Sequence, residues 1–202
     1  MTTKTPAVPE KTSARERLLA AAAELFYMEG INTVGIDRVI ERAGVAKASL
    51  YNTFGSKDEL IQAYLTAKHE AREQRVQKRL AGLASAREKI LAVFDDQCEV
   101  AKKKDFRGCA FIRASAELGA EKGIRGVCDA SRGWLRGLFK DLATQAGARD
   151  PGTLARQLEL LYEGAAVSWQ PDAAGSASKV AREAAVCLLA AAQGDTSGTR
   201  GK

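Results

Sequence analysis

The stretch Ile36–Phe54, IDRVIERAGVAKASLYNTF, decides the fold. Ile36, Val39, Ile40 and Ala43 recur at the spacing of one helical face, and Gly44 follows as a residue free to take a left-handed turn. A short helix is therefore predicted over 36–43. Three residues further on the pattern restarts. Leu50 and Phe54, four apart, share an inward face, so Ala48, Ser49, Tyr51 and Asn52 look outward, which predicts a helix over 47–54. Two short helices joined by a glycine-containing turn, the second displaying small polar residues and a lysine, make a helix-turn-helix, whose second helix lies in the DNA major groove. Many three-helix bundles contain such a pair, so the geometry alone leaves both readings open.

Upstream, Ser13 and Glu16 have the spacing of a capping box, and Leu18, Leu19, Ala22, Leu25 and Phe26 repeat at helical intervals until Gly30-Ile31 stops them. That predicts a helix over 14–29. Downstream, Gly55-Ser56-Lys57-Asp58-Glu59 is a turn with a second capping pattern, Ser56 with Glu59, opening a long fourth helix that carries Leu60, Ile61, Tyr64 and Leu65 inward. Beyond residue 80 the periodicity predicts helices at 85–103, 110–120, 122–147, 151–168 and 176–193. Asp150-Pro151 is a cap followed by a proline in the first helical position, where a missing N–H costs nothing. Gln170–Ser176 reads as a loop. The last two helices present Leu154, Leu158, Leu161, Tyr162 and Ala165, and Val180, Ala184, Cys187, Leu188 and Ala191, as apolar faces.

This is an all-α chain with an organisation read as follows: a disordered arm at 1–11, a helix-turn-helix head at 12–60, a helical body at 61–193 and a disordered tail at 194–202. Helix formers dominate, hydrophobic residues make up 46% and only four residues are Pro. No apolar run approaches the roughly 18–20 residues that span a bilayer, and 1–11 lacks the apolar core of a signal peptide, so a cytoplasmic protein without membrane contact is expected. The net charge of +6 is weak evidence for nucleic acid. Residues 1–60 hold eight Lys/Arg and eight Asp/Glu, residues 61–150 hold 18 and 12, and residues 151–202 hold five and five. The excess therefore lies outside the helix-turn-helix.

Catalytic and metal signals are lacking: there is no Ser-His-Asp order, glycine-rich phosphate loop or HExxH, and the single histidine, His69, reads as a solvated helix residue. Cys98, Cys109, Cys128 and Cys187 are far apart and read as small buried hydrophobes. No cofactor or metal is expected, and an enzyme is not expected.

Segment 14–65 resembles the N-terminal domain of the TetR family of repressors. The resemblance is carried by Ala21-Ala22-Ala23-Glu24-Leu25-Phe26, Glu29-Gly30, Ile36-Asp37, Ala43-Gly44-Val45-Ala46-Lys47, Ser49-Leu50-Tyr51, Phe54 and Ser56-Lys57-Asp58-Glu59-Leu60. Residues 106–118, FRGCAFIRASAEL, are similar to a segment of some TetR C-terminal domains. The resemblance implies Lys47, Tyr51 and Lys57 on phosphates, with Ser49 and Asn52 towards base edges and Ala48 on the same outward face. The chemistry agrees, since lysines and helix starts suit phosphate and an asparagine can pair bidentately with adenine. Two positions depart from the family pattern: Val34-Gly35 stands where Thr or Ser often caps the second helix, and Ala46 where Ser is common.

The resemblance also implies a homodimer through helices 151–168 and 176–193, with recognition helices about 34–36 Å apart for successive major grooves of double-stranded operator DNA. A small-molecule effector is implied in the body among helices 85–147, and Phe94, Cys109, Phe111, Trp134 and Phe139 are candidate wall residues that could equally be ordinary core. A ligand that favours another spacing would release a repressor from DNA. Two other readings stand beside this one. One is a helical interaction module without DNA binding. The other is a thiol-based redox regulator in which Cys109, close in sequence to Arg107 and Arg113, is the sensor.

Overall fold

A computed structural model describes residues 12–119, 122–168 and 175–192. The arm expected at 1–11, the tail expected at 194–202 and most of the loop expected at 170–176 lie outside the described residues. Nine helices and no strand occur among those described: α1 (Ala14–Glu29), α2 (Ile36–Ala43), α3 (Lys47–Phe54), α4 (Lys57–Leu80), α5 (Ala86–Ala101), α6 (Ala110–Leu118), α7 (Lys122–Gln145), α8 (Pro151–Val167) and α9 (Ser176–Ala192). The fold class is all-α, as the periodicity predicts, and the chain divides into two compact units, residues 1–64 and 65–202.

In the first unit the capping chemistry behaves as the sequence implies. The Ser13 hydroxyl accepts from the Glu16 N–H, and the Glu16 carboxylate accepts from the Ser13 N–H at 2.8 Å. A hydrogen bond from the Ser13 hydroxyl, and then this one from its N–H, hold the Glu16 carboxyl below its usual range, because hydrogen bonds to the charged form favour it. Gly44 closes α2 in the left-handed region (φ 61°, ψ 44°), where a side chain would be strained. α1 lays Leu18, Ala22, Leu25 and Phe26 against α2 and α3, and Val39, Leu50 and Phe54 are buried beneath it. Leu60, Ile61 and Tyr64 complete this core, with Tyr64 meeting Phe26 edge-on at 5.8 Å.

The second unit is built on α5, α7, α8 and α9, which pack on one another around Phe94, Leu135, Phe139, Leu158 and Leu189. Asp150 caps α8 through the Thr153 N–H at 3.0 Å, with Pro151 at the first helical position. The α8 face read from the sequence proves to be intramolecular core: Leu154, Leu158, Tyr162 and Ala165 are buried and Leu161 partly so. The outward apolar residues of α8 are instead Leu160, 71% exposed, and Val167. On α9 the stripe divides differently. Val180 is 64% exposed, Cys187 and Ala191 are also exposed, and Ser178, Ala181, Ala185 and Leu189 turn inward. An open apolar depression of about 370 Å³ lies between the two helices, lined by Leu160, Gly164, Val180 and Ala184 among others.

Candidate functional site

α3 is held by its inward residues. Leu50 is fully buried and Phe54 nearly so, which forces Lys47, Ala48, Tyr51 and Asn52 to the exposed side, with Ser49 partly buried at its margin. Arg15, in the first turn of α1, covers the Phe54 ring at 5.5 Å, and the Arg17 guanidinium donates to the Gly44 carbonyl at 3.2 Å, so α1 fixes the turn that aims α3. Neither α2 nor α3 has a side-chain cap: Gly35 and Ala46 occupy the cap positions in extended backbone. The departures from the family pattern at these two positions thus leave the helix starts without hydroxyl caps.

Two lysines assigned to phosphate have partners within the chain. Lys47 Nζ lies 2.9 Å from the Asp37 carboxylate, and this contact raises the lysine above its ordinary pKa. Lys57 Nζ donates to the Ile31 carbonyl at 2.8 Å. The remaining α2 cations are paired with α1: Arg38 with Glu29, and Arg42 with Glu24. Sequence reasoning balanced these charges in number without assigning the pairs, since partners 9 to 18 residues apart leave no local pattern.

In the body the candidate wall residues fall into two groups. Phe94 and Phe139 stack at 5.7 Å and meet Tyr162 edge-on, all three buried in the core. Burial pushes the Tyr162 hydroxyl up to about 12. Phe111 and Trp134 belong to a second cluster organised by α4. The Arg72 guanidinium lies 5.2 Å from the Phe111 ring centre and 5.1 Å from that of Trp134, and donates to the Ser131 carbonyl and hydroxyl, each at 2.7 Å. His69, read as solvated, is instead only 18% exposed and sits edge-on to Trp134 (5.8 Å) and Phe111 (6.4 Å), with its Nδ1 buried and lacking a partner among the described residues. Cys109 precedes α6 in the same region. Burial raises its thiol pKa, opposed by the charge of Arg72 and by backbone N–H groups of the first α6 turn. Arg107 donates to the Lys104 and Phe106 carbonyls, and Arg72, distant in sequence, supplies a charge that acts on this thiol. Cys128 is buried, whereas Cys98 and Cys109 are half-buried and Cys187 is exposed, which corrects the expectation that all four cysteines are packed inside. No group of three His, Cys, Asp or Glu among the described residues is placed to hold a metal ion, and no described helix is long and apolar enough to cross a membrane.

Residues 18–64 match the family model described as bacterial regulatory proteins, tetR family. The crystal structure of SCO4454, a TetR-family transcriptional regulator from Streptomyces coelicolor, is 32% identical with a TM-score of 0.82, covering 90% of this chain and 96% of that one. The chain belongs to the TetR family. Two further relatives indicate how far the likeness extends. The transcriptional repressor NemR of Escherichia coli is 30% identical over 124 residues, 56% of this chain, and the matched part spans 62% of NemR's length. The transcriptional activator FasR of Mycolicibacterium smegmatis is 47% identical, over 51 residues that make up 25% of this chain and 23% of that one. The family-model match lies in the first unit, where the helix-turn-helix lies, and the chain is a TetR-family transcriptional regulator.

Proposed function

We propose that the chain is an operator-binding transcriptional repressor, acting as a homodimer and released from DNA by a small-molecule effector. The observation that carries the reading is the exposed face of α3, where Lys47, Ala48, Ser49, Tyr51 and Asn52 stand over a buried Leu50–Phe54 anchor in a TetR-family head. Lys47, Tyr51 and Lys57 take phosphate roles, and Ser49 and Asn52 reach base edges. The head then corresponds to 12–60 and the effector-binding and dimerising body to 61–193. The outward residues Leu160, Val167 and Val180 of α8 and α9 support a dimer face, since apolar side chains this exposed gain by burial against a second copy. The effector belongs in the body, near the cluster in which Phe111 and Trp134 contact both His69 and Arg72 and Cys109 opens α6, and its effect on DNA binding is limited by its differential affinity for the two recognition-helix spacings.

The test is selection of bound sequences from a random duplex pool by the full chain, followed by the variants. Asn52→Ala is expected to relax preference at one base pair of each half-site, by about 1–3 kcal/mol of discrimination. A folded Lys47→Ala, Tyr51→Phe double variant that selects and holds the same sequence as strongly as the parent would remove α3 from the interface. A protein that selects no sequence while remaining dimeric would favour a helical interaction module.

A further inference from the structure

We propose that Asp37 is an affinity-setting residue of the DNA interface, an internal counter-ion that Lys47 must release before it can take a phosphate. The inference rests on the placement of Lys47 at the DNA-facing side.

Among the described residues, three ion pairs tie the head helices together. Arg38–Glu29 and Arg42–Glu24 join α2 to α1 and involve no residue of α3. The third, Lys47–Asp37, joins α2 to α3 and holds the one cation in the first turn of the helix that would enter the groove. Both side chains remain mostly in water, 61% and 78% exposed, so the pair contributes little to the fold. Its effect is on what else Lys47 can meet. A phosphate oxygen at hydrogen-bond distance from Nζ, with the carboxylate still at 2.9 Å, would bring two anions to within about 6 Å of each other. The carboxylate therefore swings away on binding and takes up a solution cation.

That exchange has a thermodynamic signature. A lysine that neutralises a phosphate ordinarily releases a condensed counterion and steepens the logarithmic salt dependence by about 0.9. With Asp37 present, the cation released by the phosphate is offset by the one taken up by the carboxylate, so Lys47 adds almost nothing to the slope. A residue that served only the fold would leave no such mark. Asp37 also lies in the first turn of α2, where a negative charge favours the helix and Gly35 offers no side-chain cap. Removing its charge is thus expected to weaken the head slightly while tightening its grip on DNA, opposite signs that a merely structural role cannot produce.

The experiment uses the full chain, a fluorescein-labelled duplex of random sequence and anisotropy titrations over a range of potassium chloride concentrations. Asp37→Asn is expected to tighten binding by up to about fivefold at low salt. Its slope should be steeper by about 0.9, an extra loss of about 3.5-fold in affinity between about 50 and 200 mM salt. Asp37→Glu should keep the parental slope. Lys47→Ala should weaken the parent with little change of slope, and in the Asp37→Asn background should abolish both the gain and the added slope. If Lys47→Ala weakens binding but Asp37→Asn matches the parent in affinity and slope, Asp37 is not a counter-ion and the proposal fails while the DNA face stands. If Lys47→Ala changes nothing in either background, Lys47 is not at the interface and both readings of it are overturned.

Discussion

Lys57 Nζ donates to the Ile31 carbonyl across 2.8 Å and lies 5.9 Å from the centre of the Phe26 ring, so one ammonium ties the start of α4 to the turn that follows α1. The family resemblance gives this lysine to phosphate. An ammonium has three donors, and one bond to a carbonyl leaves it able to do both. Lys57→Met keeps the stem and removes the charge. It is expected to lower the unfolding free energy of the head by about 1.5–3 kcal/mol, the range for a hydrogen bond from a charged group, and to weaken DNA binding across sequences. Urea unfolding followed by circular dichroism gives the first number and anisotropy the second. A variant as stable as the parent would mean that the Ile31 contact contributes nothing to the fold.

Leu158 and Leu160 lie two residues apart on α8 and give opposite expectations. Leu158 is fully buried in the monomer core, whereas Leu160 is mostly exposed on the side shared with Val180. Leu158→Glu would bury an unpaired charge and is expected to prevent folding, a loss of several kcal/mol. Leu160→Glu and Val180→Glu should leave the monomer fold intact and abolish the dimer. Size exclusion with light scattering, beside a thermal melt, separates the outcomes. A Leu160→Glu, Val180→Glu variant that remains dimeric at micromolar concentration would place the interface elsewhere.

Those two leucines also mark where the sequence stops being legible. Over 14–54 the helices and their turns follow from spacing and caps that are local, so α1, α2 and α3 match the predicted 14–29, 36–43 and 47–54. On α8 an apolar stripe was visible, but a helix that packs inside its own subunit and one that packs on a partner show the same periodicity, and the stripe read was the inner one. His69 was illegible for a different reason. Its surroundings come from Phe111 and Trp134, on helices far along the chain, while its own neighbours in sequence are charged. Among the candidate site residues, the exposure of α3 followed from Leu50 and Phe54, but the pairing of Lys47 with Asp37 depends on the α2–α3 crossing, which no spacing rule supplies.

In His69 a buried, unpartnered Nδ1 and two aromatic contacts act on stability in opposite directions. A buried polar atom without a partner costs about 1–3 kcal/mol, and two edge-on aromatic contacts return about 0.5–1.5 kcal/mol each. The terms nearly cancel. His69→Leu, which removes both, is therefore expected to change stability by less than about 1 kcal/mol, and to alter the emission of Trp134, read in a Trp169→Phe background. A loss above about 3 kcal/mol would mean that Nδ1 is satisfied in solution and that the histidine is part of the hydrogen-bonded framework of the body.

Cysteine labelling tests the thiol reading and the dimer face together. Cys109 has a raised pKa because it is desolvated, and the opposing charge of Arg72 is the smaller effect, so its thiolate is scarcer at neutral pH than that of a free cysteine. An acid whose folded pKa is raised holds its proton more tightly in the native state. Its contribution to stability is therefore complete below the ordinary thiol pKa and is lost as pH climbs from there through the folded value. Iodoacetamide should modify Cys109 slowly at pH 7, faster only in the alkaline range where the fold also loosens. Cys187 is exposed on the outward stripe of α9, beside the proposed interface. It is expected to react slowly in the parent dimer and rapidly in Leu160→Glu, Val180→Glu, a contrast that burial by a second copy explains and monomer exposure does not. Peptide mass spectrometry over a time course gives both rates. Fast modification of Cys109 at neutral pH, in step with release of operator DNA and absent in Cys109→Ser, would overturn the view of this half-buried thiol as held protonated and make it the sensor.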